Sequence, residues 1–149
     1  MNNKDYIQDH MDGNVCFGCG KDNHEGLQIK SYWEGQASIC EWMPEEKHNG
    51  WKGVLCGGIM AVLIDCHCIC TAIAHAHALE KLPLQSNPYI TYATGTMTIK
   101  YLKPAYNDKP VILKAFIKEV KGRKIVVGCD AYTNGIKTTE AEVIAIRIG

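Results

Sequence analysis

The sequence has no excess of either charge, because 16 Lys and Arg residues balance 16 Asp and Glu residues. Without a basic stripe, binding to nucleic acid or to an anionic membrane surface has no electrostatic basis. The balanced charge also leaves association with a second copy of the chain unopposed. We therefore expect neither a nucleic-acid partner nor a membrane partner.

Targeting and repeat signals are also missing. The first residues, MNNKDYIQDHMDGN, are polar and acidic and carry no apolar core of a secretory signal. No internal repeat or low-complexity segment interrupts the 149 residues, which suffice for one domain with a proper core. The eight cysteines are irregularly spaced, which favours free thiols in a reducing compartment. We expect a soluble, cytoplasmic, single-domain protein.

Turn formers dominate the first part of the chain. Residues 1–26 end in a stretch rich in Gly, Asn and Asp, which predicts an irregular lead-in before a single domain at 27–149. Alternating apolar and polar residues predict strands at 27–32 and 36–42, joined by a turn at Glu34-Gly35.

A long apolar segment follows. Residues from Ile59 to about Lys81 contain no Gly or Pro and are apolar on nearly every face of a helix. Such a helix must be enclosed by other elements, and Leu82-Pro83 is expected to end it. Asp65 and three histidines within the segment favour a buried helix over a membrane span.

The remaining chain predicts strands only. Asn134-Gly135 tolerates the positive φ angles of a type I′ hairpin turn, and Lys121-Gly122 predicts a second turn. Four strands are expected, at residues 90–102, 111–120, 124–133 and 136–148. The predicted fold is α+β, with one long central helix wrapped by a five- to six-stranded antiparallel sheet.

This order of elements resembles the hotdog fold, and more narrowly the phenylacetate-degradation-type acyl-CoA thioesterases. Four stretches carry the resemblance: CFGCGKDNHEGLQI, HNGWKGVLCGGIMAVLID, TMTIKYLKPA and GRKIVVGCDAYTNG. Asp65 follows Gly57 by eight residues, which is similar to the family's separation between its glycine and its catalytic carboxylate. One departure is Cys56, which stands where the family usually has His before two glycines.

The resemblance implies hydrolysis of an acyl-CoA to the free acid and coenzyme A, with no cofactor and no metal. Gly57 would offer its N–H to the thioester carbonyl at the helix N-terminus. Asp65 would act as general base or as nucleophile, and the sequence leaves both open. Its neighbours one turn away are apolar, and the resulting desolvation makes a carboxylate a stronger base.

Further site residues are expected near these two. Asn49, in the loop before the helix, is a third catalytic candidate that could orient the attacking water, and His48 is its rival. Cys56 is expected to pack and hydrogen-bond in place of the family histidine; its use as a nucleophile is the less favoured alternative. The remaining substrate-binding candidates are Gly58, Tyr101, Lys103, Arg123 and Lys124, the last four toward the coenzyme A moiety.

The resemblance also implies a homo-oligomer, because hotdog proteins pair two sheets edge to edge and form their active sites at that interface. A dimer or a dimer of dimers is therefore expected, with acyl-CoA as the other partner.

Two other classes of function remain as alternatives. The first is a non-catalytic acyl-CoA-binding module with the same fold, which the Cys56 departure keeps open. A hotdog hydratase is less favoured, since the sequence has no paired Asp and His with the spacing of that family.

The second alternative class is a zinc or redox protein. Cys16 and Cys19 form half of a metal site, but no second pair with metal spacing follows. Cys66 and Cys70 share a helix face, near His67, His75 and His77. Buried Cys is usually an apolar filler, so no metal site is expected.

Overall fold

The structure is a computed structural model that describes residues 4–84 and 90–149. Two 3-10 turns, Ile7–His10 and Glu46–His48, accompany helix α1 and six strands. These are α1 (Gly57–Leu79), β1 (Tyr32–Glu34), β2 (Ala37–Trp42), β3 (Tyr92–Tyr101), β4 (Val111–Lys121), β5 (Lys124–Thr133) and β6 (Ile136–Arg147). The strands form one sheet in the order β1-β2-β4-β5-β6-β3, with every neighbouring pair antiparallel. The predicted α+β architecture of a hotdog fold is confirmed.

Helix α1 lies across the sheet and contacts β3, β4, β5 and β6. Leu63 and Ile64 on its inner side share the core with Leu113, Ile125 and Val143 from the strands. The helix is long and apolar enough to cross a membrane, yet most of it is buried within the protein. Its apolar composition is therefore explained by its place in the core.

The C-terminal end of α1 differs from the prediction. The helix ends at Leu79, and Lys81 takes a left-handed conformation with φ of 56°. The N–H of Leu82 then bonds the C=O of His77, and the N–H of Lys81 bonds the C=O of Ala78. These two bonds form a Schellman cap, so the helix stops before Leu82-Pro83 rather than at it.

The first predicted strand, 27–32, is wrong. The backbone of Gln28 is left-handed, with φ of 55°, and cannot continue a strand. The N–H groups of Leu27 and Ile29 instead bond the C=O groups of Phe17 and Gly18 in the lead-in. The strand β1 begins only at Tyr32, although the alternation correctly marks Ile29 as buried.

All three predicted hairpins form, and the turn between β1 and β2 lies at Gly35-Gln36, one residue later than predicted. Asn134 and Gly135 have φ of 52° and 76°, which confirms the turn between β5 and β6. The turn between β4 and β5 also lies one residue later than predicted, at Gly122-Arg123, with Gly122 at φ of 58°. The predicted bounds of β4, β5 and β6 otherwise agree with the structure to within one residue.

A buried polar network ties the lead-in to α1. The C=O of Ser38 accepts from Nε2 of His67 at 2.8 Å, so Nδ1 is the acceptor, 2.7 Å from the hydroxyl of Ser31. Gln8 in turn bonds both the backbone and the side chain of Ser31. Burial lowers the pKa of His67 to about 4, although the bond to Ser38 opposes this. The lead-in is therefore packed against the rest of the fold.

Candidate functional site

The N-terminus of α1 presents free backbone donors. Cys56 is the residue preceding the first helical turn, and its C=O accepts from the N–H groups of Ile59 and Met60. The N–H groups of Gly57 and Gly58 have no acceptor among the described residues, and both glycines are exposed. Because the helix dipole adds to these donors, this end of the helix suits a developing oxyanion.

A cleft of about 290 Å³ opens beside these donors, and Gly57, Tyr101 and Lys103 all line it. The hydroxyl of Tyr101 donates to the C=O of Gly57 at 2.7 Å, and burial raises the pKa of this tyrosine. Most of the remaining lining is apolar, including Leu55 and Met60. The structure thus brings together three residues predicted from sequence, around a mostly apolar space of the kind that binds small molecules.

Asp65 lies on a half-buried stripe of α1, together with Ala61, Val62 and Ile69. The sheet covers one side of the helix, so the carboxylate is less enclosed than its apolar neighbours suggest. Its Oδ1 accepts a hydrogen bond from the hydroxyl of Thr94 on β3. The carboxylate therefore faces the strand at the edge of the sheet.

Gly57 and Asp65 do not meet within one chain. They are eight residues apart on a single helix, which corresponds to about 12 Å along its axis. A base and an oxyanion donor that act on one carbonyl must both lie within about 3–3.5 Å of the reacting atoms. Within one chain, Gly57 and Asp65 therefore cannot act on the same carbonyl.

Thr94 was missed by the sequence analysis. The pairing of β3 with β6 shifts between Thr94 and Thr96, so Gly95 forms a bulge in the edge strand. A Cβ on Gly95 would lie 2.7 Å from Cγ1 of Ile146, which explains why glycine occupies the bulge. Bulges redirect neighbouring side chains, and a glycine within a strand pattern was the available signal.

The loop before α1 is held by His48 and Asn49. His48 is buried against Trp42, and its Nδ1 accepts the N–H of Glu45 at 2.9 Å. Its C=O accepts the N–H of Cys56, and burial lowers the pKa of its imidazole. The amide oxygen of Asn49 accepts from Asn107, a partner that no local sequence pattern predicted. Both residues shape the approach to the helix, and neither lines the cleft beside Tyr101.

Arg123 and Lys124 lie at the other end of the molecule. The guanidinium of Arg123 donates to the C=O of Arg147, whose own side chain pairs with Glu80 at the C-terminal end of α1. The helix has 23 residues and separates this end from Gly57 by about 33 Å. Within one chain, the two basic residues and the cleft are therefore not brought together.

Four cysteines meet where the lead-in crosses α1, and we call them the cysteine cluster: Cys16, Cys19, Cys66 and Cys70. The sulfurs of Cys16, Cys19 and Cys66 all lie within 4.8 Å of one another, and Cys70 lies 3.7 Å from Cys19. Hydrogen bonds from Cys66 and then Cys70 hold the pKa of Cys19 well below its usual range. Residue spacing alone did not predict that these two pairs would meet.

Comparisons with known proteins agree with this architecture. Residues 52–140, more than half of the chain, match the family model of the Thioesterase superfamily. A thioesterase superfamily protein from Shewanella loihica is 30% identical, with a TM-score of 0.66 over 81% of this chain and 91% of that one.

Two further solved structures share the fold at lower identity. The PaaI protein from the phenylacetic acid degradation operon of E. coli is 12% identical, with a TM-score of 0.67 over 83% of this chain and 81% of that one. A Streptococcus mutans protein bound to acetyl CoA is 15% identical, with a TM-score of 0.66 and coverages of 81% and 89%. The comparison with curated proteins gave no match. By the family match and the Shewanella relative, the chain belongs to the thioesterase superfamily.

Proposed function

We propose that this protein is an acyl-CoA thioesterase, which hydrolyses an acyl-CoA to a free acid and coenzyme A within a homodimer or a dimer of such dimers. The superfamily membership supports thioester chemistry. The free N–H groups at Gly57 and Gly58, the apolar cleft and the carboxylate of Asp65 supply the groups that this chemistry requires. The acetyl CoA bound to the Streptococcus mutans relative supports the substrate class.

One observation supports a site that is shared between two chains. Gly57 and Asp65 are separated along α1, and each contacts a different end of the edge strand β3. Gly57 contacts Tyr101 at one end, and Asp65 bonds Thr94 near the other. The strand β3 pairs with β6 alone among the described strands and is mostly exposed over ten residues. An open edge of this length is a template for pairing with another strand.

Antiparallel pairing of two copies of β3 about their midpoints sets the Tyr101 end of one strand beside the Thr94 end of the other. Gly57 would then face the partner's Asp65, and each dimer would hold two equivalent composite sites. The same pairing brings Lys103 toward the end of the partner that carries Arg123 and Lys124. These three cations would bind the phosphates of coenzyme A, while the cleft beside Tyr101 takes the acyl or pantetheine chain.

The proposed reaction begins with the thioester carbonyl oxygen accepting the N–H of Gly57. Asp65 either takes a proton from a water that attacks the carbonyl carbon, or attacks that carbon itself to form an anhydride that water then cleaves. In either case the C–S bond breaks, and the coenzyme A thiolate takes up the proton that water releases. Cys56 and Gly58 complete the helix entry, His48 and Asn49 hold the loop before it, and the reaction requires no metal or cofactor.

A turnover screen tests this proposal. The protein is incubated with short, medium, long and aryl acyl-CoAs, and free coenzyme A is measured by chromatography, because the eight cysteines of the chain would react with thiol reagents. We expect at least one class to be hydrolysed faster than in a buffer control. If binding is measurable by calorimetry but no class is turned over, the protein is a non-catalytic acyl-CoA-binding module instead.

A further inference from the structure

The cysteine cluster gathers ligands from two distant parts of the chain. Cys16 and Cys19 come from the lead-in, while Cys66 and Cys70 lie one turn apart on α1. Cys19, Cys66 and Cys70 are buried, and Cys16 is exposed at the edge of the cluster. The proposed hydrolysis uses none of these thiols.

Two of the distances between sulfurs equal the spacing that a single tetrahedral ion requires. A zinc–sulfur bond of about 2.3 Å implies about 3.8 Å between any two sulfurs of a tetrahedral site. The sulfur of Cys16 lies 3.8 Å from that of Cys66, and the sulfur of Cys19 lies 3.7 Å from that of Cys70. Cys19 also lies within 4.8 Å of both Cys16 and Cys66, so these three sulfurs surround one point, and Cys70, beside Cys19, is the fourth ligand that would move toward it.

We propose that the cysteine cluster binds one zinc ion, which acts as a structural site and fastens the lead-in to α1. Each thiol loses its proton on coordination, and no electron is transferred. Four thiolates without an open position are the ligand set of structural zinc. The ion would take no part in hydrolysis, since the site is closed by protein ligands.

The surrounding residues are arranged for this close approach. The side chain of Asn14 accepts the N–H of Cys16 at 3.0 Å and donates to the sulfur of Cys19 at 3.7 Å, which fixes both ligands of the lead-in. A Cβ on Gly18 would lie 2.3 Å from the sulfur of Cys66, so only glycine lets the loop reach the helix here. The exposed position of Cys16 gives an ion a path to the buried thiols.

A structural ion would also stabilise a part of the fold that has little secondary structure of its own. Apart from the four-residue turn Ile7–His10, the described part of the lead-in, residues 4–26, has no helix or strand. Its hold on α1 otherwise depends on a few apolar contacts and on the network through His67. Metal binding adds folding free energy to such a segment because the unfolded chain has no preformed site.

Metal analysis tests the proposal. The full chain is produced in zinc-supplemented medium, purified under reducing conditions and analysed by mass spectrometry, where we expect about one zinc ion per chain. Cys19→Ala and Cys66→Ala should lose the metal, whereas Cys129→Ala, which removes a buried thiol outside the cluster, should keep it. Cys16→Ser changes an exposed position and should lower zinc retention against a chelator by about tenfold or more.

A second measurement uses the wild-type protein alone and is independent of variant folding. After removal of zinc under reducing conditions, added Co²⁺ should give intense thiolate-to-metal charge-transfer bands and the visible bands of tetrahedral cobalt. Chelation of the bound metal should lower the melting temperature, and Zn²⁺ should restore it. The proposal is overturned if the reduced wild type binds neither ion, if it carries iron instead, or if Cys129→Ala loses metal equally. Acyl-CoA turnover is not a readout, so these results are independent of the proposed activity.

Discussion

Asp65 accepts a hydrogen bond from Thr94, and this bond links the carboxylate of the central helix to the open edge of the sheet. Thr94 precedes the bulge at Gly95, so its direction depends on the local shape of the edge strand. This hydroxyl donor fixes the direction of the Asp65 carboxylate. The position of this group is therefore sensitive to whatever pairs with β3.

Asp65→Asn should abolish most activity without loss of fold. The amide keeps the volume of the side chain but cannot accept a proton or attack a carbonyl, so kcat should fall by about 10²-fold or more. KM should change little, because the carboxylate acts on the reacting centre. Steady-state kinetics and a melting curve measure both effects, with Glu119→Gln, at an exposed position of β4, as the matched control. A variant with normal turnover and a lowered melting temperature would show that Asp65 is only structural.

Two substitutions at Gly57 distinguish the role of its N–H from the role of its missing side chain. Proline suits the first residue of a helix and removes the N–H, and Cys56 before it already has the extended backbone that proline requires, with ψ of 130°. Gly57→Ala keeps the donor, and its Cβ would lie 3.6 Å from the ring of Tyr101, an ordinary contact.

We expect Gly57→Pro to lower kcat by about 10²–10³-fold, as loss of an oxyanion donor does, and Gly57→Ala to have a much smaller effect. Circular dichroism should show that both variants keep the helix. If the two variants lose activity equally, the N–H is not the important group.

Mixed dimers test whether the two halves of the site come from different subunits. Chains with Asp65→Asn and chains with Gly57→Pro, carrying different tags, are co-expressed, and the mixed dimer is purified by both tags. One of its two composite sites then carries both wild-type residues, so it should recover about half of the wild-type activity. If both groups act within one chain, the mixed dimer should be as inactive as its parents.

Cys56 should be replaceable. Its thiol makes no capping hydrogen bond to the helix, and its backbone N–H and C=O make the contacts that hold the loop and the first turn. Cys56→Ser should keep most activity and match or exceed wild-type stability, because Ser is a preferred residue at this position. Kinetics and mass spectrometry check this: loss of turnover in both Cys56→Ser and Cys56→Ala, with an acyl adduct on the wild type, would identify a nucleophile.

Local patterns and distant contacts account for what the sequence did and did not predict. The hairpin at Asn134-Gly135 depends on the φ preferences of two adjacent residues, and it formed as predicted. The strand at 27–32 failed because Gln28 is held in a left-handed conformation by the lead-in, with its amide donating to the C=O groups of Gly20 and Asn23. The alternation of apolar and polar residues carries no information about this contact.

The candidate site likewise combines features that residue spacing predicted with contacts that it did not predict. The spacing of Gly57 and Asp65 placed both on one helix, but their contacts with different ends of β3 depend on how the helix packs against the sheet. Cys16 and Cys66 are 50 residues apart in sequence, and their contact depends on where the irregular lead-in crosses α1. No sequence periodicity indicates a contact of this kind, so the meeting of the two pairs of thiols could not be predicted.

Stability should decline in acid because of His67. Its pKa in the folded protein is about 4, below the usual 6.5, because burial penalises the charged ring. The unfolded chain therefore binds the proton first, so this contribution is complete above about pH 6.5 and is lost as the pH falls toward 4, by about 3 kcal/mol in all. Denaturant unfolding across this range measures the loss. His67→Gln should be less stable at neutral pH but lose less stability in acid, whereas His10→Gln, an exposed control, should follow the wild type. If His67→Gln and the wild type lose stability in parallel, the acid sensitivity arises from other groups.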